Sequence, residues 1–190
     1  MSFEETIVRC SAPSLCGIKP ACLFSMDNMC FSKARKSFAQ MCGSFSKQKK
    51  YFVTIKKDEN RSLFFIYDRK LLIEVTGSRA ERNYLKQKGY PVHLGFDAVL
   101  SEFVFRLAHN SSFPHEAGVF LGYPLKDVIG FEVNGARNYI YSGFWKVYSD
   151  KNRALTLMTK YKNCTEECLL MLKKGMSVQK AAGKFCLKNA

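Results

Sequence analysis

At 190 residues, 47% hydrophobic and 24% charged, the chain is long enough to bury a core without staples and too apolar to be disordered. Its apolar runs, such as residues 63–67 and 71–73, fall far short of the ~20 residues of a membrane span, so none is expected. The net charge of +14 is uneven: residues 1–50 carry +5 and residues 151–190 carry +7, whereas residues 113–150 carry −1, so attraction to nucleic acid, anionic lipid or an acidic protein would come from the two ends.

The opening MSFEETIVRC has acids where a signal peptide has lysines, and it lacks an apolar stretch; a cytoplasmic protein is expected. Eight cysteines in that compartment read as reduced thiols. None forms a CxxC pair, which removes the spacing of zinc ribbons and thioredoxin-type motifs.

In chain order, residues 3–9 suit a short helix, and Pro13, Gly17 and Pro20 then predict an irregular packed loop over residues 10–24. Residues 26–45 read as a helix with Asp27 in its first turn. YFVTIKK and RSLFFIYD, separated by Asp58-Glu59-Asn60, predict a hairpin over residues 51–67. Helices are expected at 69–75 and 78–88, the second with Ser78 and Glu81 in capping-box spacing, and at 97–109 with Phe96 as a staple ahead of it. Residues 117–121 read as a short apolar strand, Gly122-Tyr123-Pro124 as a turn, and Pro124 as the first position of a helix through Ile129. The alternating aromatics of residues 138–148 predict a strand with a bulge at Gly143. The basic last forty residues look helical, broken at Asn163 and Gly175, with Ser177 capping the final piece.

The block 113–150 stands out. It holds the only tryptophan, Trp145, and four of the nine tyrosines, with polar residues at the joints between elements. His115 and Glu116, adjacent at the start of an apolar run, suit acid–base work or metal binding, or else tie down a loop. Tyr123, Lys126 and Asp127 lie where a helix begins, a place that can hold an anion or simply form a tight turn. Tyr139, Tyr141, Phe144, Trp145 and Tyr148 with Arg137 and Lys146 could make a stacking face for a base, a flavin or a single strand, although half of such a strand must be core. Cys10, Cys16 and Cys22 recur every six residues, and two of them could join His115 or Cys164 around a soft metal. Cys10 beside Arg9 could instead be a nucleophile. Cys164 and Cys168, four apart, read as a core stripe with Leu172 as readily as a ligand pair, and the core is preferred.

Two stretches carry a family resemblance: CSAPSLCGIKPACLF near the amino terminus, and FPHEAGVFLGYPLKDVIGF followed by GFWKVYSD. In both, the chain resembles domain of unknown function family 3793, proteins of anaerobic Firmicutes, which implies a bacterial source. Ser142 stands where that pattern often has Cys. The family has no assigned activity, so the resemblance implies no catalytic residue.

The expectation is therefore one α+β domain over residues 1–190, with a small antiparallel or mixed sheet, made of the hairpin at 51–67 and strands near 117–122 and 138–148, covered by helices. The leading function is a non-enzymatic binding or regulatory module, taking a small ligand or an acidic protein partner at Tyr123, Lys126, Asp127, Tyr141, Trp145 and Lys146. A thiol-dependent enzyme or redox or metal protein using Cys10 with His115 and Glu116 is the alternative. Nucleic-acid binding through the basic helices is third. The sequence names no cofactor.

Overall fold

The structure, a computed structural model, describes residues 2–56, 58–110 and 112–188. Lys57 of the expected hairpin, and Met1, Ser111, Asn189 and Ala190 of the expected domain, lie outside the described residues. The architecture is α+β, with nine helices, a three-stranded antiparallel sheet and a separate two-stranded one among the described residues. The chain gathers into two compact units, Met1–Leu71 with Lys160–Ala190, and Leu72–Thr159.

In the first unit, α1 (Phe3–Leu15) is capped by Ser2, whose Oγ accepts the Glu5 N–H at 3.1 Å, and its first turn carries Glu4 and Glu5 against the positive end of the dipole. The expected loop over residues 10–24 is corrected on both sides. Residues 10–15 continue α1 through Pro13, whose missing N–H leaves the helix one i→i−4 bond short two residues before it ends; the Pro13 carbonyl accepts the N–H groups of Ile18 and Lys19 at 2.9 and 3.1 Å. After the left-handed Gly17 (φ 68°), residues 21–27 form β1 (Ala21–Asp27).

Asp27 lies before, not inside, the next helix: its Oδ1 accepts the N–H groups of Met29 and Cys30 at 2.9 and 3.0 Å, so α2 runs Asn28–Ser46. The hairpin forms as expected from β2 (Lys50–Lys56) and β3 (Arg61–Asp68), with the Asp58 carboxylate accepting the Asn60 and Arg61 N–H groups at 2.7 and 2.8 Å in the turn. β3 is the central strand, pairing antiparallel with β2 and with β1, whose register runs from Ala21 opposite Tyr67 to Asp27 opposite Arg61. Ile7, Leu15, Met41, Phe45, Phe64 and Ile66 form the heart of this core. α8 (Lys151–Lys173) runs through Asn163 without the expected break, while Gly175 (φ 82°) does end it; Ser177 Oγ then accepts the Lys180 N–H at 3.3 Å at the start of α9 (Val178–Lys188).

In the second unit, α3 (Arg69–Gly77, from Leu72 on) and α4 (Arg79–Gln87) follow the expected pattern, but the Ser78 hydroxyl bonds the Glu81 carboxylate rather than a backbone N–H. α5 (Phe96–His109) takes Phe96 into the helix itself. The expected strand at 117–122 is a helical turn, α6 (Ala117–Phe120), in keeping with how little periodicity separates a short buried strand from a short buried helix. Gly122 (φ 74°) ends it in the left-handed conformation, and α7 (Leu125–Asn134) starts after Pro124 and extends past Ile129. The expected strand at 138–148 is instead a small hairpin of β4 (Tyr141–Ser142) and β5 (Lys146–Val147), with Gly143 in its turn rather than at a bulge. These strands make their own sheet, so the single sheet expected from residues 51–67, 117–122 and 138–148 does not form.

Candidate functional site

Within the second unit, α6, α7 and the β4–β5 hairpin enclose a cavity of about 350 Å³. Its walls are chiefly aromatic and apolar: Phe113, Tyr123, Val128, Phe131, Phe144 and Trp145, with His115, Ser142 and Lys146 adding polar atoms. Phe113 and Phe144 are more than half exposed, which leaves apolar surface open to solvent, whereas Trp145 is buried.

Three local features hold this space open. First, the Asp127 carboxylate, on the first turn of α7 and only 2% exposed, is fully committed to the hairpin: Oδ2 accepts the Trp145 indole N–H at 2.8 Å, and Oδ1 accepts the backbone N–H groups of Tyr148 and Ser149, both at 2.9 Å, and the Ser149 hydroxyl at 2.7 Å. A buried carboxylate with four donors is a strong anchor, since removing it would leave several desolvated donors unpaired. Second, the anchored indole stacks on Tyr123, with ring centroids 4.8 Å apart and planes inclined by 22°. Third, glycines permit close approaches that a side chain would block: a Cβ at Gly118 would sit 2.7 Å from Val128 Cγ2, and one at Gly130 would sit 2.6 Å from Tyr148 Cβ.

Of the residues singled out in the sequence, Tyr123, Asp127, Trp145, Lys146 and His115 line the cavity. Lys146 Nζ donates to Ser142 Oγ at 2.8 Å and lies over the Tyr139 ring at 4.1 Å. His115 packs edge-on against Phe131, with centroids 5.3 Å apart. Lys126 is exposed and Tyr141 half-buried; neither lines the cavity, and Tyr141 faces the Lys151 ammonium at 5.8 Å. Gly118, Val128, Phe131 and the exposed Phe113 also line the cavity, and no signal in the sequence singled them out.

Glu116 has a different place from its neighbour. It is buried, and its Oε1 accepts from Arg106 Nη1 at 2.9 Å and from the Tyr90 hydroxyl at 3.2 Å. Arg106 in turn bonds Glu102 at 2.7 Å through Nε, and its guanidinium lies over the Tyr90 ring at 4.1 Å. Burial, then the Glu116 charge, pushes the Tyr90 phenol well above its ordinary range. Glu116 is thus bound into a structural ion pair.

The cysteines lie in the first unit. Cys10 is exposed, and its Arg9 neighbour bonds Glu5 at 2.8 Å; burial of the sulfur raises the thiol pKa and outweighs the opposing Arg9 charge, the reverse of an activated nucleophile. Cys22 is buried, and desolvation pushes it up to about 12. Cys16 separates from both: its sulfur joins those of Cys164 and Cys168, all buried, within 4.8 Å of one another. Hydrogen bonds from Cys16 and Cys164 lower the Cys168 thiol, while its bonds with Cys164 and Cys168 raise that of Cys16. Cys164 and Cys168 are core residues, as preferred, and the proposed trio of Cys10, Cys16 and Cys22 is not assembled among the described residues.

A family model described as a protein of unknown function (DUF3793) matches residues 7–182. The chain belongs to this family. No curated protein and no solved structure matches it. The DUF3793 match takes in both the cavity and the three clustered thiols. In this DUF3793 chain, Ser142 lines the cavity and its Oγ accepts from the Lys146 ammonium. Among the described residues, no helix is long and apolar enough to cross a membrane.

Proposed function

We propose that this protein is a non-enzymatic binding module that takes a small, flat, apolar or aromatic molecule carrying an anionic group. The observation that carries this reading is the cavity of about 350 Å³ walled by Tyr123, Phe131, Phe144 and Trp145. Its volume falls in the range of small-ligand sites, roughly 300–1,000 Å³, and few polar groups converge on it, as such sites require. The aromatic walls favour a ring. Asp127 is neutralised as a recognition group by its four internal donors, which leaves the Lys146 ammonium as the charged group able to meet a ligand, and its sign selects an anion. Acid–base chemistry has less support, since Glu116 is held by Arg106 and Tyr90 and the Cys10 thiol is not activated.

Trp145 is the only tryptophan in the chain and lines the cavity, so it reports on occupancy directly. Titration with anilinonaphthalene sulfonate, an aromatic anion, should quench Trp145 and raise the probe's emission by energy transfer. Lys146→Ala should weaken the probe by about tenfold, the scale of a lost charge-assisted hydrogen bond. Tyr123→Ala should weaken it further by removing the stack beneath the indole. Unchanged affinity in both variants, with circular dichroism showing both folded, overturns the assignment.

A further inference from the structure

A second site lies in the first unit and does not depend on the cavity. Cys16 follows the last turn of α1, and its backbone is fixed by the N–H bond to the Ala12 carbonyl at 2.8 Å and by the left-handed Gly17 after it. Cys164 and Cys168 lie one turn apart on α8, so their side chains share a helix face. Two separate helices therefore bring three sulfurs to one point, buried and within 4.8 Å of one another, with Cys16 Sγ and Cys168 Sγ 3.6 Å apart. A fourth thiol adjoins them: Cys186, on α9, donates its S–H to the Cys16 carbonyl at 3.1 Å.

The spacing discriminates between metals. With metal–sulfur bonds of about 2.3 Å, thiolates around a single tetrahedral ion lie about 3.8 Å apart. The Cys16–Cys168 separation of 3.6 Å is close to that value, and all three sulfurs lie within 4.8 Å of one another. An iron–sulfur cluster has several metal atoms and needs its cysteines spread around a larger body, which sulfurs this close do not allow. Magnesium and calcium take oxygen donors, and the cluster offers only sulfur. Thiolate sets select soft ions, chiefly Zn(II) and Cu(I).

We propose that Cys16, Cys164 and Cys168 form a buried trithiolate site for one soft metal ion, of the class Zn(II) or Cu(I), with Cys186 as the adjoining donor. On binding, the ion forms three metal–sulfur bonds, each S–H bond breaks with its electron pair left on sulfur, and three protons pass to solvent; no electron is transferred. All three ligands are buried, which shields a bound ion from substrate. The site is structural and ties the end of α1 to α8.

The test uses the full chain, reduced under anaerobic conditions and incubated separately with Zn(II) and with Cu(I), then desalted for native mass spectrometry. One equivalent of an ion should be retained. Retention should fall at least tenfold in Cys164→Ser and Cys168→Ser and stay unchanged in Cys10→Ser, whose thiol is exposed. Since serine in the core can unfold the chain, alkylation of the wild-type protein provides a second reading. Cys16, Cys164 and Cys168 should react at least tenfold more slowly with the ion bound than after chelation, while Cys10 and Cys30 react at the same rate in both. Failure to retain either ion, equal retention by Cys164→Ser, or equal alkylation rates with and without the ion overturns the proposal. None of these readouts touches the cavity, so this site and the proposed ligand function stand or fall separately.

Discussion

The two units use aromatic rings in opposite ways. In the first, rings fill space: Phe64 meets Phe31 at 4.9 Å, Phe24 at 5.5 Å and Phe38 at 5.7 Å, and Phe38 in turn meets Phe52 at 5.6 Å, most of them edge-on. In the second, Phe103 and Phe120 also fill, stacked at 3.8 Å, but Tyr123, Trp145, Phe131 and Phe144 line a space instead. The difference is not composition. Phe31 and Phe38 on α2 and Phe64 on β3 point at one another, all three pairs edge-on. The second set is positioned around the space by a carboxylate that grips the hairpin from α7 and by glycines that let α6, α7 and Tyr148 come close. Aromatic richness alone therefore does not mark a site; a fully bonded buried Asp beside close-packed glycines does.

The comparison can be broken most severely at Phe64, fully buried at the centre of the interlocked rings. Phe64→Ala should cost ~3–5 kcal/mol in urea unfolding, whereas Phe144→Ala, at 57% exposed, should cost under ~0.5 kcal/mol and act on probe binding instead. Next comes the anchor. Asp127→Ala should cost ~3 kcal/mol, because the Trp145, Tyr148 and Ser149 donors lose their acceptor together, and the Trp145 emission should shift as the indole is released. Gly130→Ala should cost ~1–3 kcal/mol, since the added methyl meets Tyr148 Cβ at 2.6 Å, while Gly183→Ala, with open space around it, should not destabilise.

The smallest effect concerns pH. The Tyr90 phenol is raised by burial, so above the ordinary tyrosine pKa of about 10 the unfolded chain ionises first. The stability it contributes is intact below that pH and is lost as pH rises toward the folded value, with a limiting slope of about 1.4 kcal/mol per pH unit. Urea unfolding from pH 9 to about 11 should show this decline, and Tyr90→Phe should make it shallower, the buried Tyr84 and Tyr161 keeping the rest. An equal slope in the variant would remove Tyr90 as its source.

Much of this was legible in the sequence where local chemistry decides the structure. The hairpin turn at Asp58 and the stops at Gly122 and Gly175 follow from residues whose backbone preferences act alone. The block around Trp145 stood out in the sequence because unusual residues gather there, and several of them line the cavity. What was not legible depends on partners distant in sequence. Ala117–Phe120 is too short for periodicity to tell strand from helix, and its packing against Val128 selects the helix. Pro13 argued for a loop, but α1 carries it two residues before its end, and the buried Ala12, Leu15 and Ile7 of that helix are what hold it in place. The spacing of six among Cys10, Cys16 and Cys22 suggested a trio, but helix geometry separates them and tertiary folding pairs Cys16 with two thiols about 150 residues away. Asp127 looked like a helix-dipole residue, and only the folded hairpin gives its carboxylate four donors.

The central claim is that the Trp145 cavity receives a flat anionic ligand. The most direct measurement is the single indole N–H cross-peak of a ¹⁵N-labelled sample during titration with anilinonaphthalene sulfonate. The indole N–H is fixed on Asp127 with its ring against the cavity, so a saturable shift of that peak, much reduced in Lys146→Ala, is the predicted result. A peak that stays in place while the probe binds elsewhere on the protein would contradict the account.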